Sequence, residues 1–182
     1  MSSWRSTVLA LCLQGSAAVA AEGDAPVEQR LLRVGLSASG VLAPFPSLPG
    51  WGFAGDLVLV VAPAPSFDVR LVVSFTHTLG VDAVQHQNQL VLGAEGTAWF
   101  GDYGVGVLAG GGYVGVNLVS SVPGGPSFID GPLVLVGATP VRYRFGGSLV
   151  GDVFLDLGAI FFFAPPAPQG QAFGRLGVSV YF

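Results

Sequence analysis

Apolar segments of strand length recur eight times along this chain, each bounded by turn-forming residues, and this rhythm constrains the fold more than any other feature. The segments lie near 29–42, 51–62, 68–79, 88–100, 104–119, 132–145, 149–163 and 171–182. Most span about 11–15 residues, enough for a tilted strand to cross a bilayer, whereas ordinary globular strands run about 5–6. Hydrophobic residues make up 51% of the 182 positions, and mean hydropathy is +0.66. Yet past the N-terminus no uninterrupted apolar run reaches the roughly 18 residues of a membrane helix. Scattered glycines (28) and prolines (13) also work against long helices. A closed barrel is the other structure that satisfies every backbone group in lipid.

The connections support an antiparallel up-and-down barrel. Long links (44–50, 80–87, 120–131 and 164–170) alternate with short ones (63–67, 101–103 and 146–148). In an outer-membrane barrel the long loops lie outside and the tight turns face the periplasm, which would put both ends of the mature chain in the periplasm.

Period two is clearest in the last segment. Ala172, Gly174, Leu176, Val178, Val180 and Phe182 share one face, and Gln171, Phe173, Arg175, Gly177, Ser179 and Tyr181 the other. In the third, Val69, Leu71, Val73, Phe75 and Leu79 oppose Asp68, Arg70, Ser74, Thr76 and Thr78. A soluble β-domain would also alternate, but its second face must be a solvated surface. Here that face is mainly small residues with isolated charges, and the chain has no lysine. Such a face suits the narrow lumen of an eight-stranded barrel better than water. Two departures are expected to distort the ladder. Pro140 removes a donor within the sixth segment and predicts a bulge or break. Gly110-Gly111-Gly112 predicts a bend or the close approach of a lumen side chain in the fifth.

Aromatic residues collect at segment ends, where interfacial girdles would lie. Trp51, Phe53, Phe75, Phe161 and Phe163 fall at the loop ends. Trp99, Phe100, Tyr103, Tyr143, Phe145, Tyr181 and Phe182 fall at the turn ends.

Residues 1–21 read as a cleavable signal peptide. Arg5 gives a positive start, Val8 to Leu13 an apolar stretch, and Ala18, Ala20 and Ala21 small residues for cleavage after Ala20 or Ala21. Residues 22–182 form the barrel domain. The one cysteine, Cys12, lies in the leader; Leu9-Ala10-Leu11-Cys12 resembles a lipobox, but Leu11 stands where that pattern wants a small residue. A mature chain without cysteine has neither disulfide nor thiolate chemistry. Net charge is −4 with no basic patch, which argues against nucleic-acid partners.

The closing run Leu176-Gly177-Val178-Ser179-Val180-Tyr181-Phe182 resembles the C-terminal signature of bacterial outer-membrane proteins. The resemblance implies that Phe182, with its same-face partners Val178 and Val180, is read by the barrel-assembly machinery. The whole mature chain resembles the small eight-stranded class that includes the outer membrane protein A, X and W types. It implies an integral barrel of a Gram-negative outer membrane, in contact with membrane lipid.

Lumen-facing charges are the best site candidates. On parity they are Arg33, Asp56, Asp68, Arg70, Glu95, Arg142, Arg144, Asp152, Asp156 and Arg175. Arg142 and Asp152 are equidistant from Gly147, so they are expected to lie opposite one another across a hairpin. Charges in so narrow a space should pair, either as a plug of salt bridges or as the lining of a solute path. His77 and His86 are the only histidines, too few for a metal site without carboxylates. Some eight-stranded lipid A deacylases carry a serine two positions after a surface histidine, but after His77 that position is Leu79. Gly104-Val105-Gly106-Val107-Leu108-Ala109 resembles a dinucleotide turn, but no helix is expected to follow it. No cofactor, metal or catalytic constellation is expected.

The functional expectation is a non-enzymatic barrel with a structural, adhesive or surface-interaction role. Partner contacts would sit on the outer loops, especially 120–131 with Phe128 and Ile129. A narrow channel for small solutes or ions is the alternative, and a membrane lipid-modifying enzyme a third reading.

Overall fold

The computed structural model describes residues 32–44, 49–79, 84–118, 128–147, 149–163 and 169–182. The signal peptide, its cleavage positions Ala20 and Ala21, and half or more of each long connection lie outside the described residues. Eight strands follow one another: β1 (Leu32–Pro44), β2 (Pro49–Ala64), β3 (Phe67–Leu79), β4 (Val84–Phe100), β5 (Tyr103–Leu118), β6 (Phe128–Phe145), β7 (Val150–Phe162) and β8 (Gln169–Tyr181). Each pairs antiparallel with its neighbour in sequence. β8 returns to β1 from Gly35↔Tyr181 to Leu42↔Gly174, closing an up-and-down barrel.

Two strands begin four residues earlier than the hydropathy rhythm suggests. β4 starts at Val84 rather than 88, and β6 at Phe128 rather than 132. The run Gln87-Asn88-Gln89 carries no apolar alternation, yet backbone pairing with β3 and β5 continues through it. Strands of 13–18 residues exceed the roughly 9–11 that span hydrocarbon. Their outer ends therefore project beyond the apolar belt.

Pro140 lies where register breaks on both sides of β6. Pairing with β7 shifts between Ala138 and Val141, and pairing with β5 between Gly104 and Gly106. Thr139 and Arg142 both face inward and are buried, while Pro140 and Val141 both face outward. The extra residue of this bulge absorbs the missing N–H and keeps both flanking side chains in the lumen. The glycine run of β5 meets its expectation in part: a Cβ at Gly110 would lie 3.0 Å from Cγ1 of the buried Val91. A Cβ at Gly112 would fall 1.9 Å from the Leu90 carbonyl oxygen, and one at Gly110 2.9 Å from that of Leu92. The close approach is mainly that of the β4 backbone, and the strand runs on unbroken.

The faces are inverted relative to a soluble domain. Leu36, Leu57, Leu71, Leu92, Val107, Val136, Leu157 and Leu176 point outward and are exposed, with Leu92 at 67%. Arginine, carboxylate, hydroxyl and amide groups point inward and are buried. Water would solvate neither arrangement well, whereas lipid outside and paired charge inside satisfy both. Trp51, Phe53, Phe75, Phe161 and Phe163 are exposed at the loop ends, and Phe100, Tyr103 and Tyr143 at the turn ends. Phe145 and Phe182 are half-buried at the turn ends. Trp99 and Tyr181 depart from the expected girdle. They are 5% and 7% exposed and lie inside the barrel.

Room for rings inside so narrow a barrel comes from glycine. Tyr181 lies across from Gly35, Trp99 from Gly104, Phe154 from Gly177 and Phe173 from Gly158, each a direct cross-strand pair. A Cβ on any of these glycines would come within 2.5–2.9 Å of the opposing ring. The Gly104 and Gly106 that superficially resemble a dinucleotide turn are spacers here: Gly106 likewise leaves room for the Glu95 carboxylate, 2.9 Å from where its Cβ would be.

Candidate functional site: the charged lumen

All ten charged residues expected in the lumen are there, and they form one connected network. At the turn end Asp68 is the hub. Its carboxylate accepts from Trp99 Nε1 at 2.8 Å and Arg70 Nε at 3.2 Å, with Arg33 Nη2 at 3.6 Å and Arg144 Nη2 at 3.9 Å. Arg70 reaches on to Asp152 Oδ2 at 2.8 Å and to the Tyr181 hydroxyl. Tyr181 donates to the same Asp152 oxygen at 2.6 Å. The other oxygen of Asp152 takes Arg142 Nη1 at 2.6 Å. Arg142 Nη2 grips both oxygens of Glu95, at 2.8 and 2.6 Å.

Toward mid-barrel, Thr139 Oγ1 stands 3.1 Å from Glu95 and 2.8 Å from Asp156, bridging the two carboxylates. Arg175 closes the series, donating to Asp156 at 2.7 and 3.0 Å and to Asp56 at 3.0 and 3.1 Å. Five arginines face five carboxylates, so the network is formally neutral. Aromatic faces insulate it: the guanidinium of Arg144 lies 3.8 Å from the Trp99 ring centre, and that of Arg142 4.8 Å from Phe154. Buried charge is tolerated because every carboxylate has a cation and every cation a carboxylate.

The expected hairpin register for Arg142 and Asp152 is off by two. Arg144 lies across from Asp152, and Arg142 across from Phe154. The turn is centred one residue beyond Gly147, and the long arginine side chain still spans the diagonal to Asp152. Parity already contained the missed members of the network. Trp99 shares a face with Glu95 and Thr97, and Tyr181 one with Arg175 and Ser179, but their position at strand ends made them look interfacial.

Above the network the lumen changes character. Ser74, Thr76 and Thr78 on β3 and Gln87 and Gln89 on β4 form a buried polar wall, while the buried Gln171 lies on β8 across from Ile160. Opposite this wall, Val114, Val116, Leu133, Ile160, Phe162 and Phe173 form an apolar cluster with Val91. Ile129, expected on an outer loop, belongs to this lumen cluster, because β6 begins at Phe128. Phe128 is exposed on the outer wall. Residues 120–127 of that loop lie outside the described residues.

On the outer wall, His77 Nδ1 donates to Asn88 Oδ1 at 2.7 Å, and Asn117 Nδ2 donates to His86 Nε2 at 2.8 Å. The two imidazole centres are 5.8 Å apart, and Phe53 lies 5.5 Å from His77. Tyr113 donates to Asp130 nearby. Among the described residues no group of three or more His, Cys, Asp or Glu side chains is placed to hold a metal ion.

A closed barrel with charge inside and an apolar belt outside defines the class: an eight-stranded antiparallel transmembrane β-barrel. Solved structures of similar fold include Neisserial surface protein A, at 16% identity and TM-score 0.49, covering 84% of this chain and 98% of that one. The N-terminal β-barrel domain of Pseudomonas aeruginosa OprF matches at 16% identity and TM-score 0.48, covering 81% and 97%. The outer membrane enzyme PagL matches at 10% identity and TM-score 0.48, covering 79% and 98%. No protein-family model and no curated protein matches the chain.

Proposed function

We propose that this chain is an integral barrel of the bacterial outer membrane whose lumen is sealed, and that it serves a structural, adhesive or surface-contact role rather than a catalytic or conducting one. The observation that carries this reading is the lumen network, which links β1, β2, β3, β4, β6, β7 and β8 through paired charges. An ion crossing it would have to separate several buried pairs, each costly to break. The same pairing speaks against catalysis in the lumen, since its carboxylates are engaged by arginines. On the outer wall, Leu79 occupies the position where lipid A deacylases carry serine.

The reading includes export by a signal peptide cleaved after Ala20 or Ala21, and assembly through Val178, Val180 and Phe182. Val178 is exposed, Phe182 half-exposed, and the Phe182 amide donates to the Val34 carbonyl at 2.9 Å, carrying the barrel seam to the last residue. Outer-end groups such as Phe128, Tyr113 and Asp130 are available for surface contact.

Protein extracted from the membrane fraction should migrate anomalously on gels until heated, as a folded barrel does. In planar bilayers it should give no stable unitary steps, and Arg142→Ala with Asp152→Ala should produce steps or leakage by opening the seal. Regular steps from the unaltered protein, changed by these substitutions, would instead establish the narrow channel.

A further inference from the structure

The outward half of the lumen holds a cavity of about 60 Å³ whose floor is the top of the charge network, at Glu95 and Arg175. One wall is polar, from Ser74, Thr76 and Gln89, and the other apolar, from Leu135, Ile160 and Phe173. Gln171 lines the same space at 2% exposure, and its Oε1 has no hydrogen-bond partner among the described residues. Of the buried side-chain atoms without a partner among the described residues, the others (Ser39 Oγ, Gln87 Nε2 and the Nε of Arg33 and Arg142) belong to residues that do not line this cavity. An unsatisfied buried polar atom costs about 1–3 kcal/mol, so Gln171 Oε1, aimed into this cavity, marks a group built to meet something else.

We propose that this half-lumen is a binding site for a small neutral molecule with an apolar body and a hydrogen-bond donor, of the short-chain amide or alcohol class. Neutrality follows from the floor. Arg175 is held by Asp56 and Asp156, and Glu95 by Arg142. A charged ligand would be desolvated with no free counter-ion to meet it. The donor answers Gln171 Oε1, and the apolar body covers Ile160, Leu135 and Phe173. Size follows from volume: at roughly 10–15 Å³ per water-sized group the cavity takes about four to six such groups, the extent of a short alkyl chain with a polar end. Since the network closes the lumen below, the ligand enters and leaves at the long-connection end.

The test is a titration of detergent-extracted, methyl-labelled protein with butanamide, read by NMR. The resonances of Ile160 and Leu135 should shift saturably, while those of the outward-facing Leu57 and Leu92 should not. Ile160→Trp should abolish the saturable shift by filling the space; should that variant not fold, Leu135→Phe serves the same end. Gln171→Leu keeps the cavity but removes the acceptor, and should weaken butanamide about 3–10-fold while leaving pentane binding unchanged. Parallel, non-saturating shifts of inner and outer methyls would mean partition into detergent only and would overturn the proposal. So would butanoate binding as tightly as butanamide, or a butanamide affinity unchanged by Gln171→Leu.

Discussion

Asp152 joins the turn-end part of the network, through Arg70, to the mid-barrel part, through Arg142. One carboxylate, 1% exposed, accepts from Arg70, Arg142 and Tyr181. Removing its charge takes a counter-ion from two guanidiniums at once, Arg70 keeping only Asp68 and Arg142 only Glu95, and both are almost wholly buried. Asp152→Asn, which keeps the shape, should therefore destabilise the folded barrel by about 3–5 kcal/mol, the range found when one partner of a buried ion pair is lost. Asp56→Asn is the informative contrast. Asp56 serves Arg175 alone, and that arginine is more exposed and keeps Asp156 at 2.7 Å. Its loss should cost clearly less. Urea titrations of the two variants in lipid vesicles, followed by gel mobility of the folded form, would rank them; equal costs would contradict the shared-acceptor account.

At the scale of the strand, much was legible because the signal is periodic and strong. Eight segments, their order and the inward face of all ten lumen charges follow from alternation alone. What alternation could not supply was anything depending on register across strands. The diagonal from Arg142 to Asp152, the bulge that keeps both Thr139 and Arg142 inward, and the pairing of each inner ring with a glycine all need the ladder itself. Polar strand ends such as Gln87-Asn88-Gln89 were missed for a related reason: backbone pairing persists where side-chain contrast has vanished. The glycine–aromatic pairs carry a prediction. A Cβ at Gly177 would sit 2.6 Å from Phe154 and 2.8 Å from the Ala38 carbonyl oxygen. Gly177→Ala should destabilise the barrel by about 1–3 kcal/mol, as overpacking does, with part of the loss recovered in Gly177→Ala combined with Phe154→Leu. Additive losses would mean that the two positions do not share one space.

For the molecule as a whole, the decisive fact is which face meets which medium. In a soluble barrel an exposed leucine at mid-strand would tolerate arginine, since the replacement only enters water. Leu92 is 67% exposed near the middle of the 17-residue β4, on the side away from the charge network. If that surface meets hydrocarbon, Leu92→Arg must carry a charge toward the bilayer midplane, at a cost of about +2–4 kcal/mol. An arginine near the strand end, as in Phe100→Arg, should cost only about 0–1 kcal/mol, because interfacial headgroups and water reach it. Folding equilibria of both variants into vesicles would separate the two environments. A depth-dependent penalty on the outer face is expected of this barrel and of no water-soluble one, whereas a negligible cost at position 92 would place the apolar belt in some medium other than lipid.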